Sequence, residues 1–348
     1  MRDRPLIVFA VLDAFPHHIL KSDDTPTLAR LAAEGAQATT GGRAVLSAST
    51  YPNHASFVTG TPPSGHRIFT SRALHEGAFR PAQEVGPATP TLFDRCREAG
   101  RRAVVAVGDQ NLIHVCGAEA ADAHWPPKGE LPEAAPRGRL GFAADRAVVA
   151  EVDDLELDRC DLFFLQLDEI DTERHLNGPE PAGSFEQCRK TDAALGEILE
   201  RLKPIWQDVL VIAVSDHDHE RIESGAIDLA AAAEERGLDV IVDHDGTAAV
   251  VVGDVPVAAL RALPGVIAST PIGPDCHLVW GEPGVQFGVD WGLKAHHGSP
   301  RTQTQLAVVG GGHATAQALA RKIEASPPEC TQWAGWVAEL MGIADATC

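Results

Sequence analysis

Apolar positions along the chain fall into two recurring textures. PLIVFAVL (5–12), RAVVAVG (102–108), DLFFLQL (161–167), DVLVIAVS (208–215) and QLAVVGGG (305–312) are short, nearly continuous apolar runs, the pattern of strands covered on both faces. Between them lie stretches with helical spacing. TPTLARLAAEGA offers Thr25 as a cap, Pro26 at the first helical position and Gly35 as a terminator. Helices are also expected over 91–100, 139–151, 313–325 and 331–341. SFEQ at 184–187 matches a capping box, with Phe185, Cys188, Leu195, Ile198, Leu199 and Leu202 on one helical face behind it. This alternation predicts an α/β fold: a mainly parallel central sheet with helices on both faces.

Between about 220 and 290 the texture changes. Short strands (DVIVD, TAAVVVG, CHLVW) alternate with short helical pieces such as VAALRAL. We read this as a small inserted α+β cap subdomain within a single domain spanning 1–348.

Composition narrows the functional classes. Lys and Arg number 29 against 49 Asp and Glu, a formal charge of -20. A nucleic-acid polymer or an anionic membrane calls for a basic face, so neither is expected as a partner. A small phosphorylated molecule can still bind where a metal supplies local positive charge. Seven cysteines without CxxC spacing predict free thiols, and hence a cytoplasmic protein. The first apolar run stops at Asp13, short of the ~18 residues a membrane span needs.

The candidate chemistry sits at the carboxyl ends of predicted strands, where α/β sheets bind ligands. Asp13 ends the first strand and Asp216 follows DVLVIAVS. Asp168 and Asp171 follow DLFFLQL. Any one of these is an ordinary cap or turn residue. Together with histidines they are more: Asp216 precedes His217, Asp171 lies four residues before His175, and His296-His297-Gly298 comes late. Carboxylates with imidazoles are the ligand set of zinc or a similar divalent ion. In SASTYPNHASFVTG (47–60), Thr50 lies just before a predicted helix, where free N–H groups and the helix dipole favour a phosphate. Ser49 is the rival hydroxyl.

The ordered set Asp13, STYPNHASFVTG, SGHRI, D-x-x-x-H-x-x-GP (171–179), VSDH (214–217) and HHG (296–298) resembles the alkaline phosphatase superfamily. It is most similar to the nucleotide pyrophosphatase/phosphodiesterase (type I phosphodiesterase) branch. The branch has TFPNH, D-x-x-G-H-x-x-GP, SDHG and a late HG. The resemblance implies two divalent ions, zinc first, with manganese or iron as alternatives. It assigns Asp171, His175 and His297 to one, and Asp13, Asp216, His217 and the Thr50 oxygen to the other. Three carboxylates against two such ions leave the site about +1 before Thr50 ionises. It further implies cleavage of a phosphodiester or nucleotide-type substrate through a phospho-threonine intermediate. Asn53 and Tyr51 are the implied substrate contacts within the nucleophile motif, Tyr51 as a stacking surface for a base.

The departures bear on specificity. Where the family has Asn, 21 residues after the nucleophile, this chain has Ser71 with Arg72 beside it. Arg72 or Arg67 could grip a monoester. SDHDH replaces SDHG, which leaves His219 as an outer group or an exposed one. A phosphomonoesterase, a phosphonate hydrolase and a non-catalytic metal or phosphoryl-ligand binder are the alternatives.

Overall fold

A computed structural model of the protein describes residues 2–21, 23–180 and 182–343. The central sheet has seven strands: β1 (Leu6–Leu12), β2 (Ala36–Gln37), β3 (Ala103–Val107), β4 (Ala123–Trp125), β5 (Leu162–Leu167), β6 (Val209–Val214) and β7 (Ala307–Gly310). Their spatial order is β2–β7–β6–β1–β5–β3–β4. Strands β6, β1, β5, β3 and β4 run parallel, and β7 is antiparallel to both neighbours. β1 lies at the centre, paired to β5 and β6 along nearly its whole length.

The two-residue period of β1 divides the core. Ile7, Phe9 and Val11 face a cluster that includes Phe57, Phe93, Leu319, Trp333 and Val337. Leu6, Val8, Ala10 and Leu12 face Leu28, Leu31, Val148, Leu195 and Ile198 on the other side. All seven β1 residues are fully buried. The continuous apolar run is thus the signature of a strand covered twice.

Four helices matter for the site: α1 (Pro26–Glu34), α2 (Thr50–Thr59), α3 (Glu169–Asn177) and α4 (Ala182–Arg201). Thr25 precedes α1, but its hydroxyl donates to the Lys21 carbonyl. The cap comes from α4 instead. The Asp192 carboxylate accepts from the Thr27 and Leu28 N–H groups at 3.0 and 2.9 Å. The SFEQ box does not form, because α4 already begins at Ala182 and the Ser184 hydroxyl donates to the Gly178 carbonyl. The box at Thr91 does form, reciprocally with Asp94.

Residues 241–280 form a separate four-stranded antiparallel sheet, ordered 241–245, 248–252, 276–280, 268–273. Ala249 and Val251 pack under Leu229 and Leu260 of its own helices. Ala248 and Val250 pack on Phe69 and Leu74 of the main body. Six cysteines among the described residues are free and buried; Cys348 lies outside them. Among the described residues no helix is long and apolar enough to cross a membrane.

Candidate active site

Three strand ends and one helix start meet at the carboxyl edge of the sheet. Asp13 follows β1, Asp216 and His217 follow β6, and α3 after β5 bears Asp171 and His175 one turn apart. Thr50 is the first residue of α2. Its hydroxyl oxygen lies 3.1 Å from His217 Nε2. That nitrogen is 3.7 Å from Asp13 Oδ1, 3.4 Å from Asp216 Oδ2 and 4.0 Å from Asp171 Oδ1. His175 Nε2 is 3.3 Å from Asp171 Oδ2. The Ser49 hydroxyl faces Ser47 Oγ at 3.3 Å, so the structure sets Thr50, not its neighbour, against His217.

His297 arrives from the far side. The turn at Thr247 holds it: the Thr247 N–H and hydroxyl both donate to the His297 carbonyl, at 2.9 and 3.0 Å. Gly298 has φ +115°, and a Cβ there would come within 2.1 Å of the Asp245 carbonyl oxygen. This contact accounts for the glycine after the second histidine. His296 lines the cavity beside it, its Nδ1 accepting from the His297 N–H at 3.0 Å.

Local hydrogen bonds orient each group. Gln166 Nε2 donates to Asp13 Oδ2 at 2.8 Å, while Gln166 Oε1 accepts from the Gly108 and Asp109 N–H groups. Asp216 Oδ1 accepts from the Ala14 and His217 N–H groups. Asp13 Oδ1 and Asp216 Oδ2 are buried and have no hydrogen-bond partner among the described residues. The histidines show the same division. His175 Nδ1 is 2.9 Å from the Ala295 carbonyl and His217 Nδ1 is 3.1 Å from the Asp218 carbonyl. A carbonyl only accepts, so each Nδ1 donates, and Nε2 is the ring nitrogen turned toward the carboxylates.

These are the properties of a cation site. Burial pushes Asp13 well above the usual carboxylate range, and the nearby Asp216, Asp171 and Asp168 charges add to it. Burial also lowers His219 and His297, reinforced by the imidazoles around them. Apposed carboxylates and unprotonated imidazoles are costly in a dry pocket unless a positive ion joins them. Ligand atoms of Asp13, Asp171 and His217 lie within 4.8 Å of one another, as do those of Asp171, His175, His219 and His297. A third group joins Asp13 and Asp216 to His54, whose Nδ1 meets the Thr50 carbonyl at 2.9 Å.

A cavity of about 570 Å³ opens over the group between the main body and the antiparallel sheet. Thr50, Tyr51, Ser71, Arg72 and Asp109 line one wall; Asp243, Asp245, Phe287 and Trp291 line the other. The Arg72 side chain is about half exposed, with its Nε 3.7 Å from Asp243 Oδ1. Arg67 lies over the Phe69 ring and is not among the lining residues. Tyr51 is fixed by its hydroxyl, which accepts from Asn111 Nδ2 at 2.8 Å and bonds to Asp109. Burial raises Asp109 to about 6.

Asn53 requires a correction. It is fully buried, and its amide serves the chain: Oδ1 accepts from the Val45 N–H and Nδ2 donates to the Ser49 carbonyl, both at 2.8 Å. It braces the segment before Thr50 and does not reach the cavity. Of the two expectations for His219, the exposed one fails: its side chain is buried, with Nε2 2.8 Å from Asp171 Oδ1. Gln166 and Asp109 were missed by sequence reasoning. Both are polar residues at strand ends, but nothing local marks which way they face.

The chain is similar to known proteins along its length. Residues 6–270 match the model of the type I phosphodiesterase / nucleotide pyrophosphatase family. Ectonucleotide pyrophosphatase/phosphodiesterase family member 3 of Mus musculus is 24% identical over 229 residues, 62% of this chain. The chain spans only 25% of that relative's length. Among solved structures, murine ectonucleotide pyrophosphatase/phosphodiesterase 5, an inactive form in complex with AMP, superposes with a TM-score of 0.72 at 16% identity. That match covers 99% of this chain and 96% of the other. The human counterpart gives 0.71 at 14% identity, covering 97% and 95%. At such identities the two structures establish the alkaline phosphatase-like fold, and the family match establishes the lineage: this chain belongs to the type I phosphodiesterase / nucleotide pyrophosphatase family.

Proposed function

We propose that the protein is a metal-dependent hydrolase of phosphodiester or nucleotide-type substrates, using Thr50 as nucleophile. The observation behind this reading is the position of Thr50. It opens α2, its oxygen faces His217 Nε2, and the unpartnered oxygens of Asp13 and Asp216 lie around that same nitrogen. Two divalent ions, zinc first, fit the residues: Asp171, His175 and His297 for one, Asp13, Asp216, His217 and Thr50 for the other. When bound, such ions supply the charge that draws in a phosphate and lowers the pKa of a hydroxyl.

The residues of the chain supply the rest. The α2 N-terminus orients phosphate oxygens through its N–H groups. The Thr50 hydroxyl gives up its proton as its oxygen bonds to phosphorus, the bond to the leaving oxygen breaks, and that oxygen takes up a proton and leaves as the alcohol. Water then attacks phosphorus, the bond to Thr50 breaks, and the phosphorylated product departs. Gln166 keeps Asp13 aimed inward throughout. Asp109 and Asn111 hold the Tyr51 ring at the cavity wall, where it can stack on a base. That one structural relative was solved with AMP supports a small nucleotide ligand.

A substrate panel on metal-replete protein tests this. Bis-p-nitrophenyl phosphate and a p-nitrophenyl ester of a nucleoside monophosphate should be cleaved faster than p-nitrophenyl phosphate and phosphonoacetate. Thr50→Ala should abolish turnover. Turnover surviving in Thr50→Ala would refute the nucleophile, and metal-loaded protein inert on the whole panel would favour a binding role.

A further inference from the structure

Two departures from the family pattern meet in space. D-x-x-G-H has become Asp171-Thr-Glu-Arg174-His175, and SDHG has become Ser215-Asp216-His217-Asp218-His219. Arg174 replaces the glycine of the first motif and Asp218 the glycine of the second. In the fold they form an ion pair, Arg174 Nη2 to Asp218 Oδ1 at 2.6 Å. The Arg174 side chain is almost completely buried, and its Nη1 donates to the Ala14 carbonyl at 2.6 Å, directly after Asp13. The two replacements therefore tie the α3 turn bearing Asp171 and His175 to the segment that follows His217.

That tie presents His219. The Asp218 carboxylate also accepts from the His219 N–H at 2.7 Å, fixing the backbone from which the ring projects. The His219 side chain is completely shielded, with Nε2 2.8 Å from Asp171 Oδ1, while Nδ1 is buried with no hydrogen-bond partner among the described residues. Its ring centroid is 4.4 Å from that of His175 and 5.3 Å from that of His297. One ligand atom from each of Asp171, His175, His219 and His297 falls within 4.8 Å of all the others. An imidazole nitrogen and a carboxylate oxygen facing each other need a positive particle between them, either a proton or a metal ion. Three imidazoles converging on one carboxylate favour the ion.

We propose that His219 is a fourth protein ligand of the cation held by Asp171, His175 and His297, with the Arg174–Asp218 pair as the brace that positions it. The inference rests on the metal-dependent reading above. Catalytic zinc sites keep three protein ligands and an open position, whereas four protein ligands close a tetrahedral shell. His219 therefore completes a four-ligand shell at this site and should slow the loss of its ion relative to a shell of three.

The test is a crystal structure of the wild-type protein loaded with zinc, with the ions located by anomalous scattering. A His219 nitrogen within ~2.2 Å of the ion beside Asp171 supports the proposal. An ion bound there by Asp171, His175 and His297 with both His219 nitrogens beyond bonding distance overturns it and leaves the proposed function standing. Protein that takes up no ion overturns both. In solution, His219→Ala should lose affinity for one of two zinc ions by more than the ~10- to 100-fold that loss of a ligand's outer partner costs, in competition with a chromophoric chelator. His219→Gln, which can still hydrogen-bond Asp171, should lose as much. Wild-type affinity in His219→Gln would show a hydrogen-bonding role only and overturn the proposal.

Discussion

Thr50 Oγ1 and His217 Nε2 stand 3.1 Å apart although 167 positions separate them in the chain. The contact joins the start of α2 to the end of β6. It requires the central sheet to bring both to one edge, so it serves as a single-distance check on the assembly of the site. Thr50→Ser keeps a hydroxyl at the same place and should retain measurable diester cleavage, within about 100-fold of wild type. Thr50→Ala should lose at least ~10³-fold, the scale expected when a covalent route is removed. Steady-state rates on bis-p-nitrophenyl phosphate decide it; equal activity in the two variants would remove Thr50 from the reaction.

Gln166 links the Gly108 and Asp109 amides to the Asp13 carboxylate. Its side chain is fully buried in the sheet. In Gln166→Leu the Asp13 carboxylate loses its outer donor, and the two N–H groups lose a shared acceptor. Metal affinity should fall about 10- to 100-fold, as is typical when the partner of a ligand is removed. Zinc titration against a chelator measures it, with circular dichroism confirming the fold. An unchanged affinity would show that Asp13 needs no such support.

What could be read from the sequence follows a physical division. Asp13, Asp216, His217, Asp171 and His175 were legible because each sits at a fixed step from a strand whose apolar run marks its end. His297 was legible through the glycine behind it, which the Asp245 carbonyl demands. Asn53 was misread because a polar residue beside a nucleophile looks like a substrate contact, whereas burial turned its amide to the backbone. SFEQ failed because chain entry at Ala182 left no helix terminus for Ser184 to cap. Gln166, Asp109 and the Asp243–Asp245 wall were invisible: the direction a polar side chain faces is set by strands and loops distant in sequence. The Arg174–Asp218 pair was hidden for the same reason, since each residue alone looks like a solvated charge.

Arg72 occupies the cavity wall about half exposed, 3.7 Å from Asp243. A monoester presents one more charge there than a diester. Arg72→Ala should therefore lower kcat/KM for p-nitrophenyl phosphate about tenfold more than for bis-p-nitrophenyl phosphate, the exposed end of the range for a charge-assisted hydrogen bond. Equal losses on the two substrates would reduce Arg72 to a partner of Asp243.

Asp192 closes the N-terminus of α1 from a neighbouring helix, with both carboxylate oxygens engaged and the side chain fully shielded. Asp192→Ala leaves the Thr27 and Leu28 N–H groups without that acceptor. The loss should be about 2 kcal/mol of unfolding free energy, at the upper end for a helix cap. Asp192→Asn preserves one acceptor and should recover part of it. Urea unfolding measures both, and a change in Asp192→Ala below ~0.5 kcal/mol would contradict the capping role.

Asp145 and Glu169 cap each other's helices: the Asp145 N–H donates to Glu169 Oε2 at 2.8 Å, and the Glu169 N–H to Asp145 Oδ1 at 3.2 Å. The pair sets the first residue of α3, two positions before Asp171. Burial lifts Asp145 from 3.8 to about 7, with the Glu169 charge adding to the rise and the Thr191 hydroxyl opposing it. The fold therefore favours the protonated acid. That contribution is fully present below about pH 4 and is lost as pH climbs through 7. Asp145→Asn retains the acceptor for Glu169 and cannot ionise, so it should gain stability relative to wild type between pH 5 and pH 8. Urea midpoints of the two proteins across that range should diverge in favour of the variant. Parallel curves would mean that Asp145 is already ionised at pH 5, and that the donors around it outweigh its burial.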